Sequence, residues 1–499
     1  MSSSSPAYTG FRKSRGWGVG KLGTRGTIAV FVSIFAICMS PMLGSLSFTL
    51  VLVAVAIPTL FLTVIPFGER TAMGHIAHHG RWASAGNATA WADDVFEEVA
   101  RGENLPGVLA PLCPIKVEDG RGGYQCLIWN RRTGILSARL HVSPVGLTLA
   151  DDDDALQWVT NFGGLLADLG HMPLVSAIAF TAESAPSGGV NQRAYTVGTA
   201  AKNWEDGRLV KDSPQVCREI LTELVSQSRA TTAEVTCLVT INFDLKNAVP
   251  EPKTLAEGAA EVVNMLPRFE SSLAASGMTV TNRASTGQTI RYLRAAFDPA
   301  VRTADFSQDD ELWEWADAGP LRTEESADVY SHDSGYSVSW LMKAPPRGVV
   351  RYRQLIPLVS PGRYHRRVSL VYRPYSAGEA SKKVEDEVNA GTFRRIWANK
   401  TKKDETQRDH DDRVKARRAA QEESLGAGLG RFTMYVTTTV RNEQTLAAAC
   451  SDVEERMGQA KIHFRRARKA MAATFAASLG VGIEPSAGLS RISTERWGS

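Results

Sequence analysis

The longest apolar run in the chain covers 43 residues without a charged side chain, between Arg25 and Glu69. A membrane-spanning helix needs about 20 apolar residues, so this length predicts two spans joined by a short turn. Ser40-Pro41 supplies a turn signal near the middle of the run. We therefore predict a transmembrane hairpin over 27–66, with helices at about Thr27–Leu43 and Leu46–Pro66.

Basic residues flank this apolar run on both sides. The first 25 residues carry five Lys or Arg and no acid, and Arg70 and Arg81 follow the run. Short basic flanks stay in the cytoplasm, and an even number of spans places both chain ends on the same side. The pattern predicts an inner (plasma) membrane protein with two helices, both termini cytoplasmic, and basic flanks in contact with membrane lipids.

Strand and helix patterns follow the hairpin. Gly123–Trp129 and Ile135–Ser143 flank a short turn and predict a β-hairpin. Four acids at Asp151–Asp154 precede an apolar helical stretch, which predicts a helix N-terminus rather than a calcium loop. A strand–helix–strand–helix order occurs twice, beginning at Ala233–Phe243 and at Arg431–Val440. This repeat suggests paired subdomains of the ferredoxin-like, split βαβ type.

A charged segment lies between the two copies. Residues 379–425 contain 12 basic and 11 acidic residues, which predicts a solvated helical insert. Val384, Val388, Phe393 and Ile396 form a narrow apolar stripe that suits a partner. The predicted fold class is α+β: an N-terminal two-helix transmembrane hairpin followed by cytoplasmic paired ferredoxin-like (split βαβ) subdomains with a charged helical insert. The predicted segments are a basic N-terminus (1–26), the hairpin (27–66), a juxtamembrane linker and helix near Trp91–Arg101 (67–120), a first α+β subdomain (121–300), a strand-rich connection (301–378), the insert (379–425), a second α+β unit (426–484) and a flexible C-terminus (485–499).

Charge and cysteine spacing restrict the function. The chain has a net charge of +4, and its first 25 residues alone carry +5, so the remaining body is close to neutral. Wholesale nucleic-acid binding by that body is therefore not indicated. The six cysteines include no C-x-x-C pair, which argues against a zinc or redox motif and fits a reducing cytoplasm.

We identify no catalytic, cofactor-binding or metal-ligating residues. Gly16–Leu22 lacks the spacing and the Ser or Thr of a P-loop. Adjacent residues on a helix point apart, so His78-His79 is interpreted as a juxtamembrane pair rather than a metal site. Ser331–Gly335 contains Ser, His and Asp, but catalytic triads combine distant positions, so we interpret Asp333–Gly335 as a turn before the strand Tyr336–Met342. The sequence predicts a protein that is not an enzyme and needs no cofactor.

An arginine-rich segment occupies residues 343–376, with eight basic residues, no acid and four interleaved tyrosines. Cations and aromatic rings together can follow a single nucleic-acid strand. They can also contact lipid head groups or an acidic protein. Alternation over Arg366–Arg373 favours an ordinary strand with a solvated face, and direct nucleic-acid binding ranks last of these interpretations.

Three stretches resemble an actinobacterial membrane-protein family that integrative conjugative elements and plasmids encode beside type IV secretion ATPases. They are Trp315–Pro320, Tyr330–Trp340 and Ala344–Gly348. Arg431–Gly480 is similar to the N-terminal domain of conjugation assembly ATPases, without their motor domain. The resemblance implies a non-enzymatic inner-membrane scaffold of a conjugative DNA-transfer or type IV-like secretion apparatus. Such a scaffold docks a partner ATPase and other channel subunits in a hetero-oligomeric complex, and the resemblance assigns it no functional residues.

Two alternatives stay open. A type VII secretion membrane component of the EccE kind also pairs a two-helix anchor with a cytoplasmic domain, and gene neighbours would separate it from the first interpretation. A membrane-anchored enzyme is the other alternative, which a clustered acid–base pair shared among homologues would support.

Overall fold

The computed structural model describes residues 66–67, 70–84, 88–90, 105–146, 150–186, 233–303, 313–346, 350–400 and 428–484, with isolated helical positions elsewhere. The strands are β1 Pro66–Phe67, β2 Arg70–Thr71, β3 Ala88–Ala90, β4 Leu112–Glu118, β5 Tyr124–Asn130, β6 Ile135–Pro144, β7 Val175–Pro186, β8 Ala233–Asp244, β9 Met278–Arg283, β10 Arg322–Glu325, β11 Tyr330–His332, β12 Gly335–Ala344, β13 His365–Pro374, β14 Gly430–Val440 and β15 His463–Arg466. The α-helices are α1 Ala72–Ser84, α2 Asp152–Leu169, α3 Leu255–Ala275, α4 Thr286–Phe297, α5 Ile356–Val359, α6 Ala377–Lys400, α7 Leu446–Gln459 and α8 Met471–Ser478.

No helix in the described part of the chain combines the length and the apolar character that a membrane span requires. This finding contradicts the predicted fold class with its transmembrane hairpin and the predicted two-helix location in the inner membrane. The described helices of 18 residues or more, α2, α3 and α6, all carry charged side chains. Most of the predicted hairpin at 27–66, the Gly16–Leu22 motif and the helix predicted near Trp91–Arg101 lie outside the described residues.

One large antiparallel sheet dominates the fold. Among the described strands, 13 belong to it, and β1 and β2 form a separate pair. The order across the sheet is β3-β10-β11-β12-β14-β13-β7-β8-β6-β5-β4, with β15 pairing β12 and β9 pairing β6. The pairing between β13 and β7 runs over seven register pairs, from Arg366 opposite Ser184 to Tyr372 opposite Ile178. This contact joins two groups of strands that are separate in sequence.

The two groups have the same topology. In the first half (β4–β9 with α2–α4) the order is β4-β5-β6-β8-β7, and in the second half (β10–β15 with α5–α8) it is β10-β11-β12-β14-β13. The strands β9 and β15 pair with the corresponding strands β6 and β12. An approximate twofold axis through the β7–β13 contact therefore relates the halves. The prediction of separate paired subdomains is corrected, because backbone hydrogen bonds between β7 and β13 merge both halves into one continuous sheet.

Helices cover the two faces of the sheet differently. On one face, α2 and α3 pack over the first half through apolar residues such as Leu165, Leu266 and Phe269. On the same face of the second half, α5 and α7 pack through Leu358 and Val453. The opposite face is covered by α4, by α8 and by the segment 479–484, defined here as the C-terminal strap. Because both faces are covered, the central strands β6, β7, β8, β13 and β14 are largely buried.

Several local predictions are confirmed. Asn130 pairs with Ile135 at the turn of the predicted hairpin. The acids at Asp152–Asp154 occupy the first turn of α2, where negative charge offsets the helix dipole. Both strand–helix–strand–helix runs are present, as β8-α3-β9-α4 and β14-α7-β15-α8. The first part of the predicted charged insert forms α6.

Candidate functional site

Charged side chains are buried where the two halves meet. Glu183 on β7 lies opposite Arg367 on β13, and its carboxylate accepts a 2.7 Å hydrogen bond from the Arg367 Nε. The second carboxylate oxygen contacts the Nε2 of His365 at 2.8 Å and also pairs with Arg302. We call this group, with Arg139 and Tyr292 described below, the ionic seam. It fixes the β7–β13 contact by charge as well as by backbone hydrogen bonding.

Burial and charge act in opposite directions on Glu183. Burial alone raises the pKa of a carboxyl, but the positive charges of Arg302 and Arg367 outweigh it and hold the pKa of Glu183 well below its usual range. Burial lowers the pKa of His365 to about 4, with the Arg302 charge acting in the same direction. The imidazole is therefore neutral at pH 7, and its Nε2–H donates to Glu183. Glu183 is thus the negative partner shared by Arg302 and Arg367 at this contact.

Two guanidinium groups face one aromatic ring in the seam. The Arg139 Cζ lies 4.3 Å from the ring centroid of Tyr292, and the Arg367 Cζ lies 5.6 Å from it. Tyr292 is on α4, and its hydroxyl donates a 2.9 Å hydrogen bond to the carbonyl of Leu479 in the C-terminal strap. Burial raises the pKa of Tyr292 to about 12, so the phenol stays protonated. Helix α4 and the strap together close the seam from outside.

Hydroxyl groups continue this polar layer across the sheet. In the second half Ser337 contacts Thr439 at 2.8 Å and Ser339 contacts Thr437 at 2.9 Å. In the first half Ser137 donates to the side chain of Asn242 at 2.9 Å. These side chains are buried. Because nearly every buried polar group needs a partner, these side chains satisfy one another within each half of the sheet.

The C-terminal strap completes the polar layer. The Thr240 hydroxyl donates to the carbonyl of Gly480 at 2.5 Å, and the Asn242 amide donates to that of Gly482 at 3.2 Å. Both glycines have positive φ, +63° and +84°, and a Cβ at either would collide with a side chain of the sheet. Leu479 and Val481 are fully buried between these contacts. The strap therefore approaches the sheet at a distance that only glycine permits.

The Ser331–Gly335 run does not assemble a triad. The ring of His332 contacts the Phe297 carbonyl through Nδ1 and the Ser337 hydroxyl through Nε2 at 2.7 Å. Asp333 accepts from the backbone N–H of Leu321 at 2.8 Å, and Ser334 donates instead to Asp298. The predicted turn before a strand is confirmed, since Ser331 and His332 lie on β11, and β12 begins at Gly335.

The arginine-rich segment does not form one basic surface. Arg367 is buried in the ionic seam, and Arg366 is buried on the opposite face, where its Nε donates to the Leu358 carbonyl at 2.6 Å. Arg373 pairs with Glu484 of the strap at 3.1 Å. Arg363 stays exposed and lies 5.7 Å from the ring of Tyr364. The expected solvated face of the strand 366–373 is wrong, because both faces of β13 are covered.

The remaining sequence candidates lie elsewhere. His78 contacts the Arg468 carbonyl at 2.9 Å, and His79 contacts Lys469, so the predicted juxtamembrane pair instead faces the chain between β15 and α8. Within the described ranges, no group of three or more His, Cys, Asp or Glu side chains is placed to hold a metal. The cysteines Cys113, Cys126 and Cys450 are buried free thiols, as their scattered spacing predicts.

Sequence reasoning missed Glu183, Arg139, Arg302 and Tyr292. A signal for two of them exists. Arg139 and Glu183 are each the lone charge in an otherwise apolar and small-residue stretch of a strand. Such a charge on a buried strand needs a partner, so it marks a polar contact inside the fold.

Comparison of the chain with protein-family models finds no match, and comparison with curated proteins finds none. The resemblance to a conjugative-element family stays a prediction. Function is therefore inferred from the residues themselves.

Proposed function

We propose that the chain is a non-enzymatic docking protein and that its partner is an ATPase. The observation that carries this proposal is helix α6. The helix has 24 residues, which corresponds to a length of about 36 Å. Among its described side chains only Ala380 and Val384, in the first two turns, are buried, and Lys382, Lys383 and Glu385 are exposed. A helix anchored at one end with charges of both signs suits contact with another protein.

The position of α6 in the chain supports the same role. The helix starts three residues after β13, and β14 follows the insert. Pro374 on β13 pairs with Gly430 on β14, so the two ends of the insert lie side by side. The sheet is therefore complete without the insert. Insertions that leave a scaffold intact are common carriers of binding function.

Three described ionisable groups whose pKa values are displaced by burial and by neighbouring charges support a structural use of charge. His332, His365 and Glu183 are all buried and hydrogen bonded to groups of the sheet or its cover. Catalytic groups need contact with substrate. The hydrogen bonds of these three side chains occupy their polar atoms, and the covering elements separate them from solvent. We therefore infer a role in binding rather than in chemistry.

The identity of the partner is supported by the resemblance of Arg431–Gly480 to the N-terminal domain of conjugation assembly ATPases. The chain carries no P-loop motif G-x-x-x-x-G-K-[ST] of its own. An ATPase partner would supply the energy. The expected setting, a conjugative or type IV-like secretion apparatus, stays a prediction of that resemblance.

Co-purification tests the proposal. The tagged full chain is expected to retain the ATPase encoded beside it. A variant in which residues 387–426 are replaced by about ten Gly and Ser residues keeps Ala380 and Val384, and it should lose the ATPase with unchanged thermal stability. Retention of the ATPase by this variant would reject α6 as the docking element. Failure of the full chain itself to retain the ATPase would reject the docking function.

A further inference from the structure

The ionic seam holds more positive charge than its carboxylate balances. Arg139 and Arg367 are at most 2 % exposed, and Arg302 is partly exposed. Among the described residues, Glu183 is the one carboxylate that contacts Arg367 and Arg302, and His365 is neutral at pH 7. A buried guanidinium without a counter-charge strongly destabilises the folded state. The seam therefore has an excess of buried cation.

Hydrogen-bond donors of the same two arginines are unused. Arg139 makes no hydrogen bond through Nε, Nη1 or Nη2, and Arg367 makes none of normal geometry through Nη1 or Nη2, although its guanidinium group also interacts with the Tyr292 hydroxyl. Both groups face the ring of Tyr292, and these cation–π contacts offset only part of the cost of burying the charges. A cation–π contact does not satisfy hydrogen-bond donors, so five N–H-bearing nitrogens of Arg139 and Arg367 stay without a hydrogen bond of normal geometry in the interior of the fold. Native proteins rarely bury so many unpaired donors in one place.

The second half shows that the fold does not require an arginine here. Arg139 lies opposite Thr240 in the pairing of β6 with β8. In the corresponding pairing of β12 with β14, Ser339 lies opposite Thr437, and their hydroxyls contact each other at 2.9 Å. A hydroxyl at this position completes the hydrogen bonds of the polar layer without adding a charge. The arginine in the first half is thus an addition that the architecture does not explain.

We propose that Arg139 and Arg367, together with Tyr292, form an internal binding site for a small oxyanion, a phosphate or a carboxylate. The guanidinium group presents paired donors whose spacing matches two oxygens of such an anion. One bound anion would supply the missing negative charge and would accept the unused hydrogen bonds. Since Tyr292 also binds the C-terminal strap, anion binding would stabilise the closed cover of the seam. This role is independent of docking through α6.

Thermal unfolding and equilibrium dialysis of the purified full chain test the site. At constant ionic strength, sodium phosphate or sodium acetate should raise the Tm saturably over sodium chloride, and the more effective of the two identifies the anion class. Dialysis against radiolabelled phosphate should give one bound ion per chain if the class is phosphate. The exposed arginine variant Arg322→Met is the matched control and should keep the whole response.

The Arg139→Met variant should lose the anion response while its Tm in anion-free buffer stays equal to or above that of the natural chain, because an unpaired buried charge has been removed. If Arg139→Met does not fold, Arg139→Lys keeps the charge but loses the paired donors, and it should weaken anion binding at least tenfold. No saturable response to phosphate or acetate in the natural chain would overturn the proposal. An undiminished response in the folded Arg139 variant, or an equal response to chloride, would overturn it as well.

Discussion

Thr181 on β7 donates a 3.0 Å hydrogen bond from its hydroxyl to that of Ser369 on β13. The two residues are the middle pair of the seven that join the halves of the sheet. Both side chains are buried, and they lie where the approximate twofold axis crosses the sheet. A single polar contact thus marks the point at which two similar units become one protein.

A double-mutant cycle tests the hydrogen bond between Thr181 and Ser369. Thr181→Val or Ser369→Ala alone leaves one buried hydroxyl without its partner, so each should lower the free energy of unfolding by about 1 to 3 kcal/mol. The double variant removes both polar groups and should cost less than the two single changes together. Urea denaturation at pH 7 measures all four proteins. Strict additivity of the two changes would show that the hydroxyls do not interact.

The C-terminal strap gives a second prediction, with a control from the same chain. Gly482 and Gly122 have similar positive φ values, +84° and +87°, but only at Gly482 would a Cβ meet another side chain, that of Ser137. Alanine at either position bears the same backbone strain, so the difference between them reports the steric clash. Gly482→Ala should destabilise the protein by about 2 kcal/mol more than Gly122→Ala.

Hydrogen exchange locates the effect of that substitution. In the Gly482→Ala variant, amide exchange over residues 479–484 should become faster, because the hydrogen bonds of Thr240 and Asn242 to the strap carbonyls open first. Gly122→Ala should leave the exchange of this segment unchanged. Equal destabilisation by both substitutions, with no change in the strap, would refute the close approach.

Much of the local structure follows from sequence patterns, whereas the joining of the halves does not. Alternation and turn residues predict the β5–β6 hairpin, and the acids at Asp152–Asp154 predict the start of α2, because these signals act between near neighbours. The pairing of Thr181 with Ser369 spans 188 positions, and no local pattern encodes such a register.

The ionic seam could not be predicted from the sequence for a different reason. Arginine is mostly exposed in proteins, so alternation in Arg366–Arg373 points to a solvated face. That inference holds for a strand with one free face. β13 lies between β7 and β14 and has cover on both faces, so Arg366 and Arg367 are buried on opposite sides. The covering elements α8 and the strap come from the distant end of the chain.

His332 predicts a dependence of stability on pH. Burial lowers its folded-state pKa to about 4, whereas an unfolded histidine titrates near 6.5. Because the folded pKa is depressed, the stabilisation is complete above pH 6.5 and is lost as the pH falls towards 4. Between these values the unfolded chain binds a proton that the folded one does not, so the unfolding free energy falls by up to about 1.4 kcal/mol per pH unit.

Denaturation of the natural chain and of His332→Gln between pH 5 and 7 measures this contribution. The variant loses the hydrogen bonds to Phe297 and Ser337 and is expected to be less stable throughout. Its stability should nevertheless change less steeply with pH, because one titrating group is gone. Burial also lowers the pKa of His365 to about 4, so part of the slope should remain. Parallel curves for the two proteins would contradict the buried neutral imidazole.

Substitutions in the arginine-rich segment should separate folding from binding. Arg367→Glu places a second carboxylate beside Glu183 in the interior and removes the 2.7 Å ion pair, so it should destabilise the protein by about 4 kcal/mol or more. Arg363→Glu makes the same charge change at an exposed position four residues away and should alter stability by less than about 0.5 kcal/mol. Chemical denaturation of the two variants compares them directly. Comparable stability of the two variants would show that Arg367 is not buried in the seam. If the expected contrast is found, Arg363→Glu is the variant to use when partner or nucleic-acid contacts of this segment are measured, because it leaves the fold intact.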